Sequence, residues 1–359
     1  MKVIVVGAGI IGTLTAYRLV QAGAQVTMID AGQPTGAASG ASFGWINASF
    51  YADRDHFNLR VAGIEAHRRL ARDLDSDAIQ WPGCLCWEHE GEALDDQYKA
   101  LKDMGYTVSE VSTIAFAQME PFAVAPSRAL HFSSEGVVDL VALASDARRA
   151  ARRYGLRSIC GVNVTGLIEK HGTIRGVDTT AGTILADRVV IAAGVATQSL
   201  LAGVDVALPM LKRPGVMVRS EPLQPLLRHV LVGPGQEVRQ TQQGHILAPG
   251  TASHQSDDSE TISEEIEGLA DQTMARVRDI VGRDIAWETA TLAHRPVPED
   301  GLPVIGACGP AGLYVTVMHS GATLAALVGE LAAAEVMDVP LSNVQSALLS
   351  PYRAGRFIA

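Results

Sequence analysis

The stretch KVIVVGAGIIGTLTAYRLVQAGAQVTMID, residues 2–30, decides the fold. Residues 2–6 form a continuous apolar run, the pattern of a strand buried on both faces of a parallel sheet. GAGIIG follows, with Gly7, Gly9 and Gly12. The next residues carry helical periodicity, with Leu14, Ala16, Tyr17, Leu19 and Val20 apolar and Gly23 as a stop. QVTMID, residues 25–30, is a second apolar strand that ends on an acid, Asp30. In such a β-α-β unit Gly7 makes the tight turn, Gly9 lets the backbone approach a pyrophosphate, and Gly12 lets the helix pack on the strand. The helix N-terminus offers free N–H groups and a positive dipole end to phosphate. Asp30, 18 residues after Gly12, suits the two ribose hydroxyls and repels a 2′-phosphate. The unit predicts dinucleotide binding, and by itself it does not choose between NAD and FAD.

Outward from this unit, residues 31–50 form a long loop of small residues, and 53–76 read as an amphipathic helix with Leu59, Ile64, Leu70 and Leu74 on one side. Short strands and a helix near 93–104 are expected between 80 and 132. A helix over 139–154, capped by Asp139, leads to β pieces and the apolar strand RVVIAAG, residues 188–194. Antiparallel strands over 206–250, a helix over 262–282, a strand over 312–319 and a small-residue helix over 320–337 complete the chain. The α/β signals recur in three separated places with meander-like segments between them. At roughly 150 residues per domain, 359 residues predict two domains, and the order of signals predicts that they interleave: 1–80, 133–204 and 291–359 in one, 81–132 and 205–290 in the other.

Composition narrows the class. Hydrophobic residues make up 47% of the chain, too many for a disordered protein. The net charge of −10 argues against a nucleic-acid binder, which needs a basic face. Cys84, Cys86, Cys160 and Cys308 are too few for a disulfide scaffold and are expected as buried thiols, with Cys84 and Cys86 on one face of a strand. No apolar run is long enough to span a membrane and no signal peptide is read, so a cytoplasmic location is expected.

Four blocks together resemble the superfamily of D-amino-acid oxidase, glycine oxidase and sarcosine oxidase, whose members are FAD enzymes. They are VIVVGAGIIG with Asp30; AASGASFGWINA (37–48); EGVVDLVAL through TTAGTILADRVVIAAGVAT; and RPVPEDGLPVIG with GLYVTVMHSGATLA. The resemblance covers nearly the whole chain. It implies an α/β fold in which a Rossmann-like FAD-binding domain of glutathione-reductase type is interleaved with an antiparallel β-sheet substrate domain. It implies cofactor contacts from Gly7, Gly9, Ile11, Gly12, Asp30 and Ala31; from Ser39, Gly40, Ala41, Ser42, Gly44 and Trp45; from Val164, Ala193 and Gly194; and from Gly306, Gly321, Ala322, Thr323 and Leu324. Arg295 matches the family position that binds a substrate carboxylate; a structural pairing with Glu299 or Asp300 is the other reading. His319 is expected as a catalytic or pocket-lining residue, and Asn47, Trp45 and Ser320 as substrate neighbours, with structural packing the competing role for both His319 and Trp45. His294, adjacent to Arg295 on a strand, points to the opposite face and is not a candidate.

Departures from the family pattern carry information. The Cys that holds flavin covalently in sarcosine oxidases is missing from TLAH before Arg295, so FAD is expected to be non-covalent. No Lys follows Lys212, which removes the oxygen-activating Lys of those enzymes. Ser320 stands where glycine oxidases carry an extra Arg, and EVRQTQQGHIL lacks the substrate-domain Tyr. The expected reaction is oxidation of the C–N bond of an amino acid or N-substituted amino acid by hydride transfer to flavin N5, giving an imine that hydrolyses. A 2-hydroxy-acid dehydrogenase on the same fold is one alternative. The other is a flavin subunit, with electron-accepting partner subunits, of a complex acting on opines or D-hydroxyproline-like amines. No metal is implied.

Overall fold

A computed structural model describes residues 1–250, 261–262 and 265–357. The opening unit forms as read: strand β1 (Lys2–Val6), helix α1 (Ile10–Gln21) and strand β2 (Gln25–Asp30). These strands enter a six-stranded sheet ordered Arg157–Cys160, β2, β1, Arg188–Ile191, Leu313–Val317, Val304–Ala307. Its first five strands run parallel and the last is antiparallel. Alternation along β1 explains its unbroken apolar run. Val3 and Val5 pack against α1, Leu140–Arg153 and Gly321–Val336, whereas Ile4 and Val6 face Ile174 and Val177 of a three-stranded meander over 164–185. Both faces are buried, so both parities are apolar. The strand read over 188–194 ends at Ile191, and Gly194, at φ +57°, opens a short 3-10 turn.

An eight-stranded sheet gathers the other segments, in the order Trp287–Pro298, Met210–Pro222, His245–Pro249, Gln236–Gln240, Val230–Gly233, Cys84–Cys86, Arg128–Phe132, Ser109–Ser112. The expected boundary between residues 290 and 291 falls inside the strand Trp287–Pro298, which pairs with Met210–Pro222 as far as Pro298. One pair is parallel, Val230–Gly233 with Cys84–Cys86. It joins two segments far apart in the chain, where no hairpin can impose the antiparallel sense. Val216, Val218, Val238, Ile246 and Ala248 turn to the helix Ile266–Val281. That helix, expected from residue 262, begins at Ile266 after an extended Glu265, with residues 263–264 outside the described ones. The opposite parity, including Gly215, Met217, Glu237, Ala293 and Arg295, faces the α/β part. Cys84 and Cys86 are buried on one strand and Cys308 is buried, but Cys160, at the end of an edge strand, is exposed, contrary to expectation. Among the described residues no helix is long and apolar enough to cross a membrane.

Candidate active site

The glycine turn is fixed by contacts. Gly7 has φ +108°, and a Cβ there would lie 2.2 Å from the Ala192 carbonyl oxygen. At Gly12 it would lie 2.1 Å from the Gly7 oxygen. Ile10 N donates to Ser39 Oγ at 3.0 Å, which ties the small-residue loop to the first turn of α1. Asp30 accepts from Ala8 N through Oδ2 (2.6 Å) and from Gly32 N through Oδ1 (2.8 Å). It therefore locks the glycine turn to the end of β2. The segment before Val164 is tied to the same place, with Val162 N donating to Asp30 O and Gly161 N to Gly32 O. Ala31, Ala193 and Gly194 follow the C-terminal ends of β2 and Arg188–Ile191, where open α/β sheets bind ligands.

Beside this edge lies a cavity of about 290 Å³. It brings together Ile11, Ser39, Ala41, Ser42, Gly44, Trp45 and Asn47 with His319, Ser320, Gly321, Ala322 and Thr323, and with Arg295 from the eight-stranded sheet. Not every expected residue reaches it. Gly306 sits in the strand Val304–Ala307 at φ +147°, where a Cβ would lie 2.9 Å from Arg353 Nη1; its smallness makes room for Arg353. Leu324 is fully buried in the core. Gly40 does not line the cavity and has a turn role, since a Cβ there would lie 2.5 Å from Thr35 O. His294 is exposed on the far face, as its parity required.

Arg295 stands on the strand Trp287–Pro298 opposite Arg213. Its Nη2 donates to Pro214 O at 3.1 Å, and Gly215 leaves space beside its Nε. Asp300, one of the two acids considered as its partner, is instead paired with Arg356 at 2.6 Å. His319 is held neutral: burial, then Arg295, Arg60 and His56, push its pKa down to about 3. Trp45 turns its indole N–H away to Glu135 Oε2 (2.9 Å) and packs edge-on against Phe43 and Phe50. Thr323 is 1% exposed; its Oγ1 accepts from Asn47 N and donates to Trp45 O, both at 3.2 Å.

Two residues of this site were missed in the sequence. Arg60, on helix α2 (Arg54–Leu74), is 4% exposed and lines the cavity. Its Nε donates to Asn47 O (3.0 Å), Nη2 to Asn47 Oδ1 (2.6 Å) and Nη1 to Ser320 Oγ (2.8 Å). All three acceptors are neutral, so Arg60 is a buried cation that clamps the loop to the start of Gly321–Val336. Burial lowers its pKa to about 10, which leaves it charged. Glu135 is fully buried and accepts from Trp45 Nε1, Ala48 N, Ser49 N and Tyr106 Oη. Burial raises its pKa to about 7. The sequence signal for Arg60 was its place with His56, Gly63 and His67 at i, i+4, i+7 and i+11, a small and polar line along the buried side of α2. For Glu135, inside SSEG, there was none.

The helix Gly321–Val336 begins at Ser320, in left-handed backbone at φ +57°, with no side-chain cap on its first turn. Thr323 N and Leu324 N both return to Ser320 O, so the N–H groups of Gly321 and Ala322 have no intrahelical acceptor and border the cavity. With the first turn of α1, this gives two helix N-termini beside one elongated site, a donor set for a pyrophosphate and for an electron-rich ring edge.

A glycine-turn α/β edge joined to a cavity under a second sheet defines a dinucleotide-dependent redox protein. The chain belongs to the FAD dependent oxidoreductase family, which it matches over residues 2–335, and its cofactor is FAD. It is 25% identical over 334 residues to a glycine oxidase of Pseudomonas putida, covering 89% of each chain. It is 24% identical over 396 residues to a D-amino acid dehydrogenase of Cereibacter sphaeroides, covering 91% of this chain and 89% of that one. Its fold matches the crystal structure of glycine oxidase from Geobacillus kaustophilus with a TM-score of 0.86 at 24% identity, covering 99% of both chains.

Proposed function

We propose that this FAD-dependent oxidoreductase oxidises the C–N bond of an amino acid or N-substituted amino acid. The observation that carries the reading is Arg295, a guanidinium on the wall of the cavity that His319–Thr323 and Ser39–Gly44 also line. A guanidinium there takes a carboxylate through two parallel hydrogen bonds. The names of the relatives, glycine oxidase and D-amino acid dehydrogenase, agree with an amino-acid substrate.

In this reading Gly7–Gly12 and Ser39 hold the pyrophosphate, Asp30 the ribose, and Ala41–Gly44 with Gly321–Thr323 the flavin, without a covalent link. FAD, when bound, supplies the acceptor for a hydride from the substrate α-carbon. The chain's part is placement and electrostatics. Arg295 fixes the carboxylate and hence the α-carbon. Arg60 and Arg295 bring two cations to a wall that also carries Glu237, and His319 stays neutral, so the balance of charge favours the amine over the ammonium form of a substrate. The freed nitrogen lone pair then stabilises the carbon as the hydride departs, without a strong general base. The imine product hydrolyses in water.

Anaerobic mixing with a panel of amino acids, N-methyl amino acids and 2-hydroxy acids is expected to bleach the flavin with the amines only. Arg295→Ala should raise KM by roughly a hundredfold while FAD stays bound, the scale of removing one partner of a buried charge pair. Bleaching by hydroxy acids alone, or unchanged kinetics in the variant, overturns the reading. Re-oxidation by oxygen against a quinone then separates oxidase from dehydrogenase.

A further inference from the structure

A second cavity, of about 300 Å³, opens between the strand ends near Gln80 and Val137 and the segment 223–244 of the other sheet. Its floor includes Arg239, on the strand Gln236–Gln240, which is only 6% exposed. Arg239 Nε donates to Phe43 O at 2.5 Å, and the guanidinium lies 5.5 Å from the centre of the Phe43 ring. Among the described residues neither Nη atom has a hydrogen-bond partner and no carboxylate comes within ion-pair reach. Asp139 acts on it only at longer range, and its Oδ1 is committed to the N–H groups of Val141 and Ala142. A buried guanidinium without a counter-charge is strongly unfavourable, and this one borders an open cavity.

The rest of the lining selects the anion. Arg228 adds a second guanidinium, and beside it His229 is held through Nδ1 to the buried Glu120 at 2.7 Å. Gln240 is occupied as a strut: its Oε1 accepts from Leu226 N and Leu227 N, and its Nε2 donates to nearby carbonyls. Among the described residues no acidic side chain lines the cavity, so an ammonium group meets no carboxylate there. Leu223, Leu227 and Val137 give one side an apolar wall. Arg239 also touches the loop of the first cavity, since a Cβ at Gly44 would lie 3.1 Å from its Nη2, and Phe43 and Gly44 line that cavity.

We propose that this second cavity binds a small carboxylic acid that has an apolar body and no ammonium group, and that Arg239 relays its occupancy to the loop at Phe43–Gly44. The site is independent of what the first cavity oxidises. The test is calorimetric titration of the FAD-loaded full chain with 4-methyl-2-oxopentanoate, leucine of either hand, and inorganic phosphate. Titrations use Arg295→Ala protein, so that the first cavity contributes little. The oxo acid is expected to bind at one site, at least tenfold tighter than leucine or phosphate, and to shift the visible flavin band. Adding Arg228→Gln should weaken it tenfold or more, and Arg239→Gln should abolish it. If Arg239→Gln does not load FAD, Arg228→Gln decides. No oxo-acid binding, binding untouched by these substitutions, or leucine or phosphate binding as tightly overturns the site; binding with no flavin shift overturns the relay.

Discussion

Arg60 changes how the chemistry of the site is understood. A charged side chain on an amphipathic helix is ordinarily read as solvated, yet this one is buried with neutral acceptors on all three nitrogens. It acts as a positioning residue: it joins Asn47 to Ser320, and with Arg295 it holds His319 neutral. Asn47 Oδ1 is thereby committed to Arg60, which limits what Asn47 offers a substrate. Replacing Arg60 by Met keeps the volume roughly and removes the charge, a change often tolerated for stability. We expect the pKa of His319 in Arg60→Met to rise from about 3, read by NMR of nitrogen-labelled histidine. We also expect kcat/KM to fall by roughly tenfold or more, because an ångström of misplacement is costly near the reacting atoms. An unmoved His319 titration rejects this role.

Helix α2 and the helix Gly321–Val336 meet at a glycine. A Cβ at Gly63 would lie 2.6 Å from Thr323 O, and Thr323 itself anchors the 45–47 backbone. Gly63→Ala must push the helices apart, and we expect it to cost about 1–3 kcal/mol and to weaken FAD binding. Gly268→Ala, in a helix where no described residue lies within 4 Å of the added Cβ, should be neutral or stabilising by up to about 1 kcal/mol. Thermal unfolding and FAD titration of the two variants check this; equal effects reject the contact argument. What the sequence made legible divides along the same line. Elements whose period and punctuation are local, such as β1, α1, β2 and the helix Gly321–Val336, lie where their patterns put them. The cavity also holds most of the residues that resemblance assigned to the flavin side. The polar line on α2 went unread because its partner, the first turn of Gly321–Val336, lies about 260 residues away, as the Arg60–Ser320 bond records. Glu135 went unread because SSEG has the composition of an exposed turn. It is buried because Gly136 lets the backbone lie against Gln80 O and Trp81, 2.5 and 2.7 Å from an added Cβ.

On the scale of the whole molecule, helix α2, the residues before Gly321–Val336 and the turn at Glu135 hold titratable groups away from water, and folding therefore depends on pH. His56 and His67 are pushed by burial to about 4, and His319 to about 3, from an ordinary 6.5. The unfolded chain takes up these protons as pH falls below 6.5 and the native protein does not. Their stabilisation is therefore complete above 6.5 and is lost progressively down to about pH 4 for His56 and His67 and about pH 3 for His319. Glu135 has the opposite sign. Burial raises it to about 7 from 4.5, so the native protein keeps a proton that the unfolded chain releases. Its contribution is complete below 4.5 and disappears as pH rises to 7. Three depressed histidines outweigh one raised carboxyl, since a pKa unit is worth about 1.4 kcal/mol in either direction. The Tm of the FAD-loaded protein should therefore fall on acidification from pH 7 to 4.5. Glu135→Gln should steepen that fall by removing the opposing group. His67→Gln, which keeps a donor for the Ala322 carbonyl that His67 meets at 2.8 Å, should make it shallower. A Tm that rises toward acid, or a flatter profile in Glu135→Gln, would show that the fold does not hold these groups in the protonation states assigned to them.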